Sequence, residues 1–182
     1  MIELKSGISE EDLLIIAPSD EWPNIPGTKV GLISDTHGKL APDVFDALNG
    51  SDIILHAGDI VGDDILPSLE ALAPVEAVLG NNDYVGQYGL KIGYINRLSI
   101  EDVSIKIVHK PQDIEVFDAD IIMFGHTHVP HFELVHPNNN SNGTLLINPG
   151  SSSRSRSQYK HTVARMIIDG HTVQYFALVQ LA

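Results

Sequence analysis

Five short polar clusters punctuate the chain, each directly after an apolar run. Asp35-Thr36-His37 follows Val30–Ile33, His56-Ala57-Gly58-Asp59 follows residues 52–55, and Gly80-Asn81-Asn82-Asp83 follows Val75–Leu79. His109 then closes Ile107-Val108, and Gly125-His126-Thr127-His128 closes Ile121–Phe124. An aspartate and a histidine two apart at the mouth of a buried strand can place a carboxylate oxygen and an imidazole nitrogen on one metal ion. Alone, Asp35-Thr36-His37 reads equally well as a turn with Asp35 capping a helix. The five clusters together supply Asp, His, Asp, Asn, His, His and His. That set suits two divalent ions ~3.5–4 Å apart sharing one carboxylate, the arrangement that clamps both oxygens in phosphoryl displacement. Glycines 58, 80 and 125 fit it, because tight turns beside a metal need positive φ or close backbone approach.

Composition narrows the chemistry further. Absence of cysteine leaves only oxygen and nitrogen as metal ligands and removes a thiol nucleophile. The formal charge of −13 argues against a surface built to grip a nucleic-acid backbone, although bound cations can reverse the sign locally for a phosphate. No apolar stretch approaches the ~20 residues that span a bilayer, and the acidic surroundings of Leu13–Ile16 are unlike a signal peptide, so a cytoplasmic location without membrane attachment is expected. At 182 residues one domain is the default. The expected division is an N-terminal extension over 1–28 and a single domain over 29–182.

The elements that must position the clusters follow from apolar periodicity. Strands are expected at Val30–Ser34, Asp52–Leu55 and Val75–Leu79, with helices at Pro42–Leu48 and near Asp64–Leu72. In a parallel sheet the carboxyl ends share one edge, so the first three clusters can converge. The second half reads as hairpins: Arg97–His109 around Glu101-Asp102, His131–Val135 and Thr144–Ile147 around Pro137–Gly143, and Thr162–Ile168 with Thr172–Leu178 around Asp169-Gly170. Ile121–Phe124 is a buried strand. The fold class is therefore α/β (α+β), two stacked mixed β-sheets flanked by helices. In the extension, Ser9-Glu10-Glu11-Asp12 before Leu13–Ala17 resembles a helix start, ended by Pro18, Pro23 and Pro26.

The ordered motifs resemble those of the calcineurin-like metallophosphoesterases, in particular the small single-domain phosphodiesterases of bacteria and archaea. The family pattern D-x-H, G-D, G-N-x-D/E, a lone His and G-H-x-H is matched by Asp35-Thr36-His37, Gly58-Asp59, Gly80-Asn81-Asn82-Asp83, His109 and Gly125-His126-Thr127-His128. The resemblance runs from about Val30 to the C-terminus and implies a two-sheet sandwich with helices on both outer faces. It implies that Asp35, His37 and His128 hold one metal, that Asn81, His109 and His126 hold the other, and that Asp59 bridges them. Asp59, His37 and Asn81 are then the catalytic positions. Asn148-Pro149-Gly150-Ser151 also looks like a family element, a turn beside the site.

Two positions depart from the pattern. Many phosphatases of the wider family carry histidine after the motif asparagine, where it is thought to protonate the leaving group; here Asn82 stands there, and an amide cannot be a general acid at neutral pH. The small phosphodiesterases share that lack. Lys110 occupies a position where glycine often follows the single histidine. The expected reaction is hydrolysis of a small phosphodiester or nucleotide-like substrate by a metal-bridging hydroxide. Two divalent ions are expected, with Mn²⁺ favoured and Zn²⁺, Fe or Ni²⁺ compatible with the ligand types. Asn82, Arg154 and Arg156 are candidate substrate contacts, with a solvated serine-rich loop as the plainer reading of both arginines. His56 is assigned to support or packing, Asp83 to either ligand orientation or a turn cap, and His131, His136, His161 and His171 to no chemistry. The rival readings are a protein-binding scaffold of the same fold, as in the retromer subunit relative, and a phosphomonoesterase or pyrophosphatase. Homo-oligomerisation stays open.

Overall fold

The computed structural model describes residues 1–137 and 142–182, so the centre of the expected turn over 137–143 lies outside the described residues. Strands β1 (Glu3–Leu4), β2 (Leu14–Ile16), β3 (Thr28–Ile33), β4 (Ile53–His56), β5 (Val75–Ala77), β11 (Thr162–Asp169) and β12 (Thr172–Gln180) form one sheet. Strands β6 (Ile95–Ile100), β7 (Val103–Val108), β8 (Ile121–Met123), β9 (His131–Val135) and β10 (Thr144–Asn148) form the other, in the order β6-β7-β8-β10-β9.

Alternation along the strands builds the layers. Val30 and Leu32 of β3, Leu55 of β4 and Ala164, Met166 and Ile168 of β11 face Val103, Ile105, Ile107, Ile121, Met123, Leu145 and Ile147 of the second sheet. Ile33, Ile54 and Val163 point the other way, onto helices α1 (Pro42–Leu48) and α2 (Ile65–Glu70). Pro42 suits the start of α1 because its missing N–H would have no helical partner. Two turns of helix do not persist alone, so burial of Val44 and Leu48, worth roughly 1.5–3 kcal/mol each, fixes it. On the outer face of the second sheet, Val108, Ile122 and Phe124 are covered by Ile114 and Ala119 of the 110–120 segment, whose one short helix is a 3-10 turn at Pro111–Asp113. Among the described residues both α-helices therefore lie on the first sheet.

Parallel pairing sets the active edge. β3, β4 and β5 are parallel neighbours, and so are β7, β8 and β10. Six carboxyl ends thus open at one end of the sandwich, and every polar cluster found in the sequence follows one of them.

The N-terminal segment corrects the helix expected before Leu13. Leu14–Ile16 instead pairs in parallel with Ala177–Val179, and Glu3–Leu4 with Thr172–Val173. Ser9 accepts the Asp12 N–H in a turn rather than opening a helix. A run of about seven residues closed by Pro18 is too short to propagate, while the open edge of β12 offers hydrogen bonds to a segment rich in β-branched residues. Arg165, 1% exposed, ties the next stretch down: its guanidinium donates to the carbonyls of Pro18, Asp20, Asp46 and Ala47 and stands 5.1 Å from the Trp22 ring centroid. No helix among the described residues is long and apolar enough to cross a membrane.

Candidate metal centre

The seven candidate ligands converge from five strand ends. His37 Nε2 and His128 Nε2 face each other at 3.2 Å, with Asp35 Oδ1 3.2 Å from His128 Nε2 and 3.9 Å from His37 Nε2. Donor atoms bound to one ion at about 2.0–2.2 Å stand some 3–3.5 Å apart, so the two 3.2 Å edges match a single coordination sphere and the 3.9 Å edge from Asp35 to His37 is a little longer. Across from it, Asn81 Oδ1 is 3.0 Å from His109 Nε2 and 2.9 Å from His126 Nδ1. Asp59 lies between the groups, with Oδ2 3.7 Å from His37 Nε2 and Oδ1 3.4 Å from His109 Nε2. Asp35, Asp59 and His109 also offer donor atoms within 4.8 Å of one another.

One atom shows what this cluster requires. Asp35 Oδ1 is buried and has no hydrogen-bond partner among the described residues. Its companion Oδ2 accepts from Ser34 Oγ at 2.6 Å and from the His126 N–H at 3.1 Å. A buried carboxylate oxygen left bare costs several kcal/mol in order of magnitude unless a cation or donor meets it. Three imidazoles aimed at the same space cannot all serve as donors, whereas their lone pairs suit a divalent ion. The residues present therefore fit a metal.

Supporting contacts fix which nitrogen faces inward. His109 Nδ1 donates to the Ala57 carbonyl at 2.7 Å and His128 Nδ1 to the Arg154 carbonyl at 2.7 Å, which leaves each Nε2 lone pair free once the ring is neutral. Asn148 donates its amide to the Gly125 carbonyl and Thr127 Oγ1, and accepts from the Gly150 N–H. Ser151 and Ser153 hydroxyls donate to the Asp35 carbonyl. Asp83 accepts from the N–H groups of Ile60, Val61 and Gly80 and from the Tyr88 hydroxyl, so it clamps the loop carrying Asp59. His56, wholly buried, accepts from the Gly58 N–H at Nδ1 and meets Thr36 Oγ1 at Nε2.

The backbone is bent to reach this geometry. Asp35, His37, Asp59, His126 and His128 have φ of 54°, 46°, 54°, 67° and 60°, the left-handed region that side-chain-bearing residues rarely occupy. Such strain persists where surrounding bonds over-determine it, as they do here. A Cβ at Gly80 would strike Asp59, and one at Gly125 would strike Ser34 and Asp35, so both glycines are required by close approach.

Burial and charge oppose each other across the cluster. Burial alone would raise the Asp59 pKa, but hydrogen bonds with His109 and Asn82 outweigh it and hold the carboxyl below the usual range. Burial would lower His109, yet the Asp59 hydrogen bond and Asp35 charge prevail and raise it. Desolvation lowers His37 against the pull of Asp59 and Asp35, and it lowers His126 with the help of His109 and Lys110. The positive charge of Arg154 also acts on His37, which puts that guanidinium within electrostatic reach of the centre.

Of the candidate substrate contacts, Asn82 turns inward, donating its N–H to Asp59 Oδ1 at 2.9 Å and its amide to Asp59 Oδ2 at 2.8 Å. Arg154 and Arg156 are exposed. Sequence reasoning passed over the Arg154 carbonyl on His128, the serine hydroxyls on Asp35 and the Ser34 contact. Ser34 is the immediate neighbour of Asp35, but the other partners lie up to 118 positions apart in the chain and carry no local signal.

A two-sheet sandwich with aspartate, asparagine and histidine gathered over parallel strand ends defines a metal-dependent phosphoesterase class of architecture. The sequence profile of the calcineurin-like phosphoesterase superfamily domain matches residues 28–171, and the chain belongs to that family. A probable metallophosphoesterase of Methanothermobacter thermautotrophicus is 34% identical over 143 residues, covering 70% of this chain and 78% of the relative. A phosphodiesterase of Methanocaldococcus jannaschii is 28% identical over 145 residues, covering 67% of this chain and 82% of the relative. Among solved structures, an archaeal phosphodiesterase matches with a TM-score of 0.67 at 23% identity, over 85% of this chain and all of that one. Vps29 of Entamoeba histolytica, solved with zinc, matches with a TM-score of 0.62 at 23% identity, over 78% and 87% of the two chains. These two likenesses speak to the fold.

Proposed function

We propose that the protein is a dinuclear metal-dependent phosphodiesterase. The observation that carries this reading is the bare, buried Asp35 Oδ1 surrounded by inward-facing imidazoles at the rim of six strand ends. Asp35, His37 and His128 would hold one ion, Asn81, His109 and His126 the second, and Asp59 both. Two divalent cations held there would lower the pKa of water toward neutrality and offset charge on phosphoryl oxygens. The chain's own residues fix the donors: Ala57 and Arg154 carbonyls orient His109 and His128, while Ser34 and the His126 N–H hold Asp35 so that one oxygen faces inward. Arg154 is the better placed arginine for a substrate phosphate, since its charge already reaches His37. The Asn82 amide is committed to Asp59 and its N–H is not acidic at neutral pH, so it protonates no leaving group, which favours esters whose leaving oxygen departs unaided. The ligand types favour Mn²⁺ over Mg²⁺. The M. jannaschii relative named a phosphodiesterase supports the diester preference.

The test is hydrolysis of an aryl phosphodiester and the matching monoester by chelator-stripped protein with Mn²⁺ or Zn²⁺ added back. Metal-dependent turnover with the diester faster is the expected result. A faster monoester would overturn the substrate assignment. No turnover of either ester with any metal would leave the chain as a non-catalytic scaffold, the reading that the fold shared with Vps29 keeps in play.

A further inference from the structure

Beside the Asn81 and His109 half of the centre lies a cavity of about 370 Å³, a size within the ~300–1,000 Å³ typical of small-ligand sites. It shares Gly80, Asn81 and His109 with the centre, so any group in it is continuous with a phosphate held there. The remaining wall combines Tyr94 and Ile95 with Lys110, Asp113 and Glu115. Tyr94 and Ile95 are 50% and 54% exposed, a large apolar surface left open directly beside a polar centre. Among the described residues, no hydrogen bond or ion pair engages the side chains of Tyr94, Lys110, Asp113 or Glu115. Lys110, the departure from the usual glycine, is one of these walls.

From this wall we infer that the cavity receives the uncharged, ring-bearing substituent of the phosphodiester, a nucleoside, and rejects a substituent carrying a second phosphate. The inference rests on the phosphodiesterase reading and assigns its substrate class. Tyr94 supplies a face for base stacking, an interaction that tolerates any base. Asp113 and Glu115 accept from ring or amino N–H groups of the base. The two carboxylates outnumber Lys110, so the wall carries an excess negative charge that repels a further phosphate. A polyphosphate or pyrophosphate substrate meets this repulsion; a nucleoside does not.

Three diesters with the same 4-nitrophenyl leaving group test it: the guanosine 5′-, methyl and 2-phosphoethyl esters, assayed on the Mn²⁺-loaded protein. Guanosine serves as the probe because its ring edge presents adjacent N–H donors. The expected order of kcat/KM is guanosine at least tenfold above methyl, with phosphoethyl lowest. Tyr94→Ala shrinks the guanosine-to-methyl ratio through KM, and the Asp113→Asn/Glu115→Gln pair raises phosphoethyl relative to methyl. Turnover of the methyl ester with equal kcat/KM for guanosine, or a ratio that neither variant moves, overturns the subsite and leaves the phosphodiesterase reading standing. Should no ester turn over, amide NMR shifts decide: movement at Tyr94, Ile95 and Asp113 with guanosine 5′-monophosphate but not ribose 5-phosphate sustains nucleoside recognition, whereas equal or no movement overturns it.

Discussion

The two halves of the centre are built differently. Around Asp35, His37 and His128 the donors are sunk below the surface, Asp35 is fully buried, and its inward oxygen faces the imidazoles with no hydrogen-bond partner among the described residues. Around Asn81, His109 and His126 burial is uneven, with His109 buried, His126 half-buried and Asn81 exposed, and the three already satisfy one another through Asn81 Oδ1. The first half depends on a cation to offset a buried bare oxygen; the second has an alternative in its own hydrogen bonds. Binding a metal there must break those bonds and, at His109, expel a proton that Asp59 and Asp35 help retain. The buried half should therefore bind tightly, and the open half should exchange and lie next to the substrate cavity.

The largest effect that tests this difference is removal of Asp35. Asp35→Asn keeps the shape but replaces a charged oxygen, and turnover should fall on the order of 1,000-fold or more, beyond the 10–100-fold typical of outer supporting partners. Titration calorimetry on stripped protein should then show the tighter of two binding events gone. His126→Ala should remove the weaker event instead, with roughly 100-fold lower turnover that excess metal partly restores. Loss of the tighter event in His126→Ala would reverse the proposed ranking of the halves.

The sequence reveals these halves unevenly. Apolar runs located β3, β4, β7 and β8, and the polar residue types at their ends marked the ligands, because strand burial and ligand chemistry each leave a local pattern. The left-handed φ of Asp35, His37, Asp59, His126 and His128 left none, since nothing in an isolated aspartate or histidine announces that its backbone is held in that region. Contacts such as Ser151 and Ser153 on the Asp35 carbonyl arise only when strand ends distant in sequence meet. The N-terminal misreading has the same origin: local acids and leucines suggested a helix, and the unpaired edge of β12, invisible locally, won. Arg165 likewise looks like one residue of an apolar strand until Pro18, Asp20 and the end of α1 surround it.

The buried half also carries an acid-sensitive foundation that the open half lacks. Desolvation lowers the pKa of His56 to about 4 from its ordinary 6.5, because its ring is enclosed and Nδ1 must accept the Gly58 N–H. Its other nitrogen holds Thr36, whose hydroxyl donates to the Ile60 carbonyl at 2.9 Å, and Thr36 sits between Asp35 and His37. Between pH 6.5 and 4 the unfolded chain binds a proton at this residue that the folded chain does not. Stability from His56 is thus present above pH 6.5 and lost as pH falls through that window, by about 3 kcal/mol at the lower end. In stripped protein His109, raised in the folded state, acts with the opposite sign: its contribution is present below 6.5 and fades as pH rises through its folded value. Urea unfolding of the wild type and His56→Gln in chelator separates the two. The variant should lose about 3 kcal/mol less than the wild type between pH 7 and 4, and identical pH slopes would mean that the ring beneath Asp35 and His37 is not the acid-labile point of the buried half.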